Sequence, residues 1–300
     1  MKNKKLNSEK VFQNISLIIM LTITVFCIVP FILMIAASIT DENVLIKEGY
    51  KFWPSKINMG SYYYLWAKRE TIFGAYGISV LVTAAGTFVN VVLTSLFAYP
   101  LSRQDFKYRN FFAFFLFFTI LFNGGMTASY IVWTQLFHVK NTIWSLLVPN
   151  YLMGAFNVLM VRNYYTASIP VSLLEAARVD GAKELTIYSR IILPLSKPVI
   201  ITISLFSGMA YWNDWTNGLY YITDTNLYSI NVYLNRLMNN IAFLKSSSSI
   251  TEGANLVGLD LPSVGIRMAI SVIAILPIII IFPMIQAQLI KGVVIGGVKG

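Results

Sequence analysis

Charged residues are scarce in this chain of 300 residues, at 12% of the sequence, whereas hydrophobic residues make up 56%. Soluble domains carry about 25% charged residues, so a large soluble core is excluded. The single cysteine, Cys27, excludes an internal disulfide. Because the chain also has only one histidine, His138, it cannot form a metal site from several Cys and His residues. No G-x-x-x-x-G-K-[ST] motif occurs, so the chain is not expected to bind ATP by itself.

Six stretches without Asp, Glu, Lys or Arg define the architecture. A membrane-spanning helix needs about 20 mostly apolar residues. Five of the stretches are that long, and the stretch Pro198–Asn213 becomes so if its helix continues past Asp214 to Ile222. The sequence therefore predicts an all-α, multi-pass membrane protein. The six predicted transmembrane helices cover about residues 14–38, 73–99, 110–122, 143–161, 198–222 and 266–290.

Two of these helices carry further signals. The sequence NGG at Asn123–Gly125 interrupts the third apolar stretch, which predicts either a broken helix or a helix followed by an outer loop. On the second helix, small or polar residues recur every three or four positions. They are Ser79, Thr83, Gly86 and Asn90. Such a stripe favours close packing of helices in lipid.

The distribution of Lys and Arg predicts the orientation. Basic residues concentrate in the short segments 1–13, 103–109, 162–197 and 291–300, and cytoplasmic loops are rich in such residues. Both termini are therefore predicted to be cytoplasmic. A cleaved signal peptide is the alternative for the N-terminus, but its apolar run exceeds the 7–15 residues of a signal core. The net charge of +10 follows from these loop ends, which face anionic lipid, and does not call for nucleic acid.

The segment 162–197 contains an unusually structured polar stretch. Ser172 and Glu175 are spaced as a capping box at the start of a short helix. Asp180-Gly181 predicts its end, because glycine accepts the left-handed turn. A second helix is predicted over about 184–193, with Leu185, Tyr188, Ile191 and Ile192 on one face. An amphipathic loop on the bilayer is the alternative, but the stretch carries as many acidic as basic residues, and surface helices favour basic faces.

The spacing of this stretch resembles a known signature. Glu-Ala-Ala at Glu175, Gly181 six residues on, and Ile-x-Leu-Pro at Ile191–Pro194 resemble the loop of permease subunits of bacterial ABC importers. The sequences YWNDW at Tyr211–Trp215 and GGVKG at Gly296–Gly300 resemble the carbohydrate subgroup. That subgroup includes the maltose-type second permease and the oligosaccharide permeases of Gram-positive systems. The resemblance covers nearly the whole chain.

The resemblance implies a role for the loop and for the tail. In that family the loop docks in a cleft of the ATPase subunit, and the tail of maltose-type relatives reaches the interface between the two ATPases. The residues implied for the loop are Glu175, Ala176, Ala177, Asp180, Gly181, Ile191 and Pro194. The residues implied for the tail are Gly296, Gly297 and Lys299. Residues 1–13 form the cytoplasmic N-terminus, 14–290 the permease domain with its coupling loop 162–197, and 291–300 the tail.

The resemblance also implies partners. This subunit would work in the cytoplasmic membrane of a bacterium with a second homologous permease, two ATP-binding subunits and an extracytoplasmic solute-binding protein. ATP and magnesium would be bound by the ATPase subunits, so this chain carries no cofactor and is not itself an enzyme. The substrate implied is a sugar or oligosaccharide. The alternatives are an importer for a polyamine or amino acid, and a self-sufficient secondary carrier.

Aromatic rings and side-chain amides are the groups that suit a sugar substrate, because rings stack on C–H faces and amides pair with hydroxyls. Asp214 lies either on a cavity, as ionisable groups in membrane segments do, or at the interface within an aromatic belt. The other candidates for a substrate pathway are Tyr211, Trp212, Asn213, Trp215, Asn217, Asn123, Tyr130, Trp133, Asn150 and Asn157. His138 is interpreted as an interfacial residue.

Overall fold

A computed structural model describes residues 2–248 and 263–297 of the chain. This part is helical and contains no strand, only one antiparallel bridge between Thr40 and Ile57. The helices are α1 (Lys2–Ser38), α2 (Glu42–Glu48), α3 (Gly60–Ala67), α4 (Arg69–Ser102), α5 (Arg109–Leu121), α6 (Gly125–Leu136), α7 (Trp144–Leu147), α8 (Ala155–Ser168), α9 (Val171–Val179), α10 (Glu184–Leu195), α11 (Lys197–Trp212), α12 (Thr216–Tyr221), α13 (Ile230–Ser248) and α14 (Ser263–Gly297). A turn of π-helix lies within α6 and another within α10, at Val132–Leu136 and Tyr188–Ile192.

Several helices are long and apolar enough to cross a membrane. In the described part of the chain, single helices meet this condition at Lys10–Ser38, Arg69–Ser102 and Val264–Ile281. Two bent pairs also meet it, α5 with α6 at an angle of 114° and α10 with α11–α12 at 80°. The described residues therefore hold three spans, or up to five if each bent pair is one span. The prediction of a helical protein with several apolar helices is confirmed, and the count of six stays a prediction.

The prediction of one helix over 143–161 is wrong. α7 ends at Leu147, residues 148–154 are not helical, and α8 begins at Ala155. Pro149 lacks an N–H and disfavours the helical conformation in the residue before it. Asn150 then adopts a left-handed conformation, with φ of 68°, which asparagine tolerates better than most residues.

The helix predicted over 198–222 is also in two pieces. α11 ends at Trp212 and α12 begins at Thr216. The third apolar stretch is interrupted as predicted, since α5 ends at Leu121 and α6 begins at Gly125, where φ is +79°. The choice between a broken helix and a helix followed by an outer loop stays a prediction. α1 and α14 extend beyond the predicted bounds, and α13 lies in a segment where the sequence predicted no helix.

Three carbonyls at the break between α7 and α8 accept hydrogen bonds from side chains of other helices. In a membrane such carbonyls lack water as a partner, so an unpaired one costs several kcal/mol. They belong to Leu147, the last residue of α7, and to Pro149 and Tyr151 within the break. The pairs are Leu147 O with the Tyr211 hydroxyl at 2.8 Å, Pro149 O with Asn217 Nδ2 at 2.9 Å, and Tyr151 O with Asn90 Nδ2 at 2.6 Å.

The described chain forms two compact units. One contains the chain up to Arg69 together with Leu237–Leu276, and the other contains Glu70–Arg236 and the chain from Pro277. In the first unit the Glu42 carboxylate accepts the N–H groups of Val264 and Gly265, each at 3.0 Å. These N–H groups begin α14 and have no partner within the helix. A carboxylate is also favoured there by the positive end of the helix dipole.

The second unit has a core that joins the apolar helices to the polar helix–turn–helix. Fully buried side chains from α4, α8, α10 and α11 meet there, among them Ala98, Val158, Ile187 and Ile203. α9 adds Leu174 to the same cluster. The helix–turn–helix is therefore packed onto the ends of the long helices and is not a free surface loop.

The predicted stripe on α4 is largely confirmed as a packing face. Ser79, Gly86 and Asn90 are buried, and the Ser79 hydroxyl accepts the Ile230 N–H at 2.8 Å. The ring of Tyr211 lies against Gly86, where a Cβ would overlap the ring carbons.

Replacing Gly86 with alanine is expected to destabilise the protein. The Tyr211 ring would have to move, which strains its hydrogen bond to Leu147 O, and overpacking of this kind costs about 1–3 kcal/mol. The measurement is the thermal unfolding midpoint of the purified, detergent-solubilised protein. Gly74→Ala, on the same helix but with open space around it, is the matched control. Equal midpoints for the two variants would contradict this account of the packing.

Candidate coupling segment and polar cavity

The turn between α9 and α10 has a defined hydrogen-bond pattern. Gly181 follows the last residues of α9 with φ of +79°, as the sequence predicted. Its N–H donates to Arg178 O at 3.0 Å, and the Ala182 N–H donates to Ala177 O at 2.9 Å. These two bonds together form a Schellman motif, in which a glycine without Cβ accepts the left-handed conformation. The turn is thus held by its own backbone.

The capping box predicted at Ser172 is wrong. α9 begins at Val171 after Pro170, and no side chain caps its first turn. Proline at this point fixes φ near the helical value and has no N–H to satisfy. Ser172 therefore lies one position inside the helix, where its hydroxyl cannot act as the cap.

The face predicted for α10 is shifted by its π-helical turn. Ile187 and Ile192 are buried, whereas Leu185 is 75% exposed. The wider π turn brings residues five apart to one side, where an α-helix would bring residues three or four apart. Tyr188 and Ile191 are half-buried and pack on the same core. Leu185 on the buried face is thus the incorrect part of the prediction.

The residues implied for docking are mostly exposed. Five of them lie at the surface, namely Glu175, Ala176, Asp180, Gly181 and Pro194. Ile191 is half-buried, and Ala177 is buried on the inner side of α9. Two apolar side chains stand out beside the turn, Val179 at 87% exposure and Leu185 at 75%. The result is a rigid tip that presents small and apolar groups to the outside.

An ion-pair cluster ties this tip to the end of α4, and the sequence analysis missed it. The Arg178 guanidinium donates to Asp105 Oδ2 at 2.7 Å and to Glu184 Oε1 at 2.8 Å. The Tyr99 hydroxyl donates to the other oxygen of the Glu184 carboxylate. The Arg103 guanidinium lies 5.7 Å from the centre of the Tyr99 ring. Asp105 lies 73 residues from Arg178, so no local pattern could have indicated that pair, whereas Glu184 is only six residues from Arg178.

The electrostatics of the cluster follow from this geometry. The Arg178 guanidinium, hydrogen-bonded to Asp105, holds the pKa of that carboxyl below its usual value of 3.8. The same bond raises the pKa of Arg178, so both groups are charged at neutral pH. Hydrogen bonds to two carboxylates fix the orientation of the Arg178 guanidinium as well as stabilising it.

The YWNDW stretch lies at the break between α11 and α12. Tyr211, Trp212, Asp214 and Asn217 are buried, whereas Asn213 and Trp215 are exposed. Asp214 Oδ1 accepts the N–H groups of Thr216 and Asn217 at 3.0 and 3.1 Å. Asp214 therefore caps the start of α12, and the Tyr151 hydroxyl completes its shell at 3.4 Å.

The candidates on the third apolar stretch lie elsewhere in the second unit. Asn123 is exposed, and its Oδ1 accepts the N–H of Gly125 at 2.8 Å, which fixes the start of α6. The Tyr130 ring stacks on Tyr221 with centres 5.7 Å apart. Trp133 packs against the ring of Phe137. These contacts do not bring the three candidates to the cluster around Asp214.

Asn157 lines a polar cavity of about 300 Å³ between α4, α8, α11 and the break before α8. Its Nδ2 donates to the Ser207 hydroxyl at 3.5 Å, and that hydroxyl donates to Asn90 Oδ1 at 2.7 Å. Asn150 lies at the surface on the same cavity, and its Nδ2 donates to Asn217 Oδ1 at 3.2 Å. Asn90 and Ser207 were not among the predicted pathway residues. The polar stripe on α4 was the signal that could have identified Asn90.

The tail residues lie at the edge of the described chain. Gly296 and Gly297 are the last residues of α14. Lys299, the third residue implied for the tail, lies outside the described residues.

The sequence of the chain decides the family. Residues 6–295 match the family described as "Binding-protein-dependent transport system inner membrane component". The chain belongs to this family. As an inner membrane component of such a transport system, it is a multi-pass protein of the cytoplasmic membrane, as the sequence predicted.

Relatives of this inner membrane component extend over almost its whole length. It is 34% identical over 281 residues to the polygalacturonan/rhamnogalacturonan transport system permease protein YtcP of Bacillus subtilis (strain 168), covering 94% of this chain and 96% of the relative. It is 32% identical over 291 residues to Protein LplC of the same organism, covering 97% and 96%. It is 27% identical over 295 residues to the trehalose/maltose transport system permease protein MalG of Thermococcus litoralis, covering 97% and 99%.

A solved structure shares the fold of this inner membrane component. It is a crystal structure of a bacterial ABC transporter involved in the import of the acidic polysaccharide alginate. The TM-score is 0.75 at 24% sequence identity, and the match covers 93% of this chain and 97% of the other. The family resemblance stated from the signature loop and tail is thus confirmed.

Replacing Arg178 with glutamine is expected to lower the thermal unfolding midpoint at pH 7. The free energy of unfolding should fall by no more than about 1 kcal/mol, because the ion pairs are partly exposed. The pKa of Asp105 is lowered in the folded protein, so its contribution is complete above its usual value of 3.8. The contribution is lost as the pH falls through the lowered pKa. The pKa of Glu184 is likewise lowered from its usual 4.5, by the Tyr99 hydroxyl and by Arg178. The difference between wild type and variant should therefore shrink as the pH falls below about 4.5.

The control for this comparison is Arg190→Gln. Arg190 is exposed on α10 and makes no ion pair with any described residue. A pH-independent difference for Arg178→Gln, or an equal effect of Arg190→Gln, would contradict the ion-pair interpretation.

Proposed function

We propose that this chain is the permease subunit of an ATP-driven importer for a sugar or oligosaccharide, and that it couples to ATPase subunits through α9, the Gly181 turn and α10. The observation that carries the proposal is the exposed tip of this segment, held rigid by the Schellman turn and the Arg178 cluster. Membership of the family supplies the transport context.

The substrate class is supported by the relatives. Those whose names state a substrate are permeases for saccharides, among them polygalacturonan/rhamnogalacturonan and trehalose/maltose. A polyamine or amino acid importer would need acidic groups on its pathway. Asp214, the acidic candidate in the apolar stretches, is already engaged by the N–H groups of α12. No observation favours a secondary carrier.

The coupling would operate through rigid connections. Glu175, Ala176, Asp180 and Gly181 would meet a cleft of the ATPase subunit, where small residues permit close approach and the exposed Val179 side chain supplies an apolar contact. Ala177 would pack α9 onto the core, Ile191 would do the same for α10, and Pro194 would lie on the exposed side of α10. Closure of the ATPases would then move α8 and α11, which flank the segment directly in sequence. The pathway would open outward to receive sugar and reset inward after hydrolysis.

The remaining parts of the assembly are proposed from the family. ATP and magnesium would be bound by two ATPase subunits, a second permease would complete the pathway, and an extracytoplasmic binding protein would deliver the sugar. The tail residues Gly296, Gly297 and Lys299 would reach the interface between the ATPases.

The proposed topology has six spans with both termini in the cytoplasm. Single spans would be α1, α4 and α14, and broken spans would be α5–α6, α7–α8 and α11–α12. The break at residues 148–154 shortens each piece of the fourth span. Three carbonyls at this break are nevertheless paired with side chains, and broken helices in a membrane require such partners.

The coupling proposal is tested with Val179→Asp and Gly181→Asp in the complex with the ATPase subunits. Both changes are expected to reduce binding-protein-stimulated ATP hydrolysis about tenfold or more, the effect of losing one anchor of an interface. Gly181→Asp also strains a turn with φ of +79°, whereas Val179→Asp leaves the backbone alone. Ser172→Ala, an exposed position without a capping bond, is the control. Normal stimulation and association in both aspartate variants would refute the coupling role.

The topology is tested with single cysteines in a Cys27→Ser background, since Cys27 is the one native thiol. Trp53→Cys places a thiol at a position that is 87% exposed, and Ser172→Cys places one at an exposed position of α9 outside the proposed ATPase contact. A membrane-impermeant maleimide should label Trp53→Cys in intact cells and Ser172→Cys only after permeabilisation. Labelling of Ser172→Cys from outside would reverse the proposed orientation.

A further inference from the structure

The polar cavity lined by Asn157 differs in chemistry from the larger cavity of the second unit. The larger one, of about 620 Å³, lies between α4, α11 and Pro277–Ile281 and is lined mainly by apolar side chains. Its polar groups include the hydroxyls of Thr83 and Thr87, which pair with no described residue. The smaller cavity instead combines three side-chain amides with aromatic rings. Few placed polar groups among apolar ones are typical of ligand sites.

One polar atom of the smaller cavity has hydrogen-bonding capacity left over. Asn157 Oδ1 accepts no hydrogen bond from the described residues, while its Nδ2 is held by the Ser207 hydroxyl. Ser207 and Asn90 are buried and continue the chain of bonds to Tyr151 O. The amide nitrogen of Asn157 thus contacts the buried network of Ser207 and Asn90, and its carbonyl oxygen has no partner among the described residues beside the cavity that Asn157 lines.

The mouth of the cavity carries two large aromatic rings. Phe156 is 65% exposed and Phe206 is 46% exposed, and both line the cavity. A ring beside an amide acceptor is the combination that binds a sugar, since the ring packs on the C–H face and the amide pairs with a hydroxyl. A volume of about 300 Å³ is at the lower end for ligand pockets, which suits one sugar ring.

The charge of the cavity restricts the sugar. No Lys, Arg or His is present among the described residues that line it. The ionisable group bonded to its wall is the Asp214 carboxylate, which accepts from the Tyr151 hydroxyl at 3.4 Å. A carboxylate brought into such a site has no partner, and burying an unpaired charge is costly.

We propose that this cavity is a contact site for one uncharged sugar ring, bound by the Asn157 carbonyl oxygen and packed between the rings of Phe156 and Phe206. The inference rests on the proposed function and narrows it. This subunit touches the sugar itself and selects a neutral ring over a uronic acid at this position, whereas the names of two similar proteins refer to acidic polysaccharides, polygalacturonan and alginate.

The test uses the transporter reconstituted with its partner subunits and binding protein in proteoliposomes. Uptake of labelled raffinose, maltotriose and digalacturonate is measured first, and KM is then determined for the sugar transported. Asn157→Leu and Phe156→Ala should each raise KM for a neutral sugar about fivefold to tenfold, the effect of one lost hydrogen bond or stacking contact. Because Phe156 is exposed, its replacement by alanine is not expected to disturb the packing of the core. Thr87→Val, which removes an unpaired hydroxyl from the larger cavity, is the matched control.

The outcomes distinguish failure of the proposed sugar site from failure of the proposed importer function. If raffinose or maltotriose is transported and its KM is unchanged in both variants, the proposed sugar site is refuted. Transport of digalacturonate alone overturns the preference for a neutral ring, although the importer assignment would stand. Transport of none of the three sugars by the wild-type complex would count against the proposed function and against the site together.

Discussion

The fully buried amide of Asn217 joins two broken helices, and the second unit depends on it. Its Nδ2 donates to Pro149 O in the break between α7 and α8, and its Oδ1 accepts from Asn150 in the same break. Its own N–H is held by Asp214 at the start of α12. In a bilayer, non-helical backbone is tolerated only where protein groups replace water. The Asn217 side chain thus satisfies one carbonyl of the break between α7 and α8, and its backbone N–H is satisfied at the start of α12.

This constraint explains why polar side chains cluster where the helices are interrupted. Tyr211, Asn90 and Asn217 are needed to pair the carbonyls at Leu147, Pro149 and Tyr151. The same side chains form the wall of the polar cavity or lie directly behind it. Polar groups that stabilise the fold therefore leave neighbouring amides, such as that of Asn157, available for a ligand. At the other end of the unit, the Arg178 cluster and the Gly181 turn fix the exposed tip on the same core.

Much of the fold was predictable because the apolar stretches and the glycine signals are local. The long helices α1, α4 and α14, the interruption at Asn123–Gly125 and the left-handed turn at Gly181 were all read correctly from short patterns. The interruption of the fourth predicted helix was not predicted. An apolar composition does not indicate a break whose carbonyls are paired by residues far along the chain. The exposure of Leu185 depended on a π turn, for which the sequence has no local signal. The pairing of Asp105 with Arg178 likewise exists only in three dimensions.

The break before α8 also has a consequence for how the chain enters the membrane during synthesis. Asn150 and Asn217 are separated by 67 residues, so Asn217 does not yet exist when residues 148–154 leave the ribosome. Asn90, the partner of Tyr151 O, has already been made by then. The carbonyls of Leu147 and Pro149 must remain solvated or sheltered until Tyr211 and Asn217 have been made. The full set of hydrogen bonds around this break therefore forms only after the fifth apolar stretch has been synthesised.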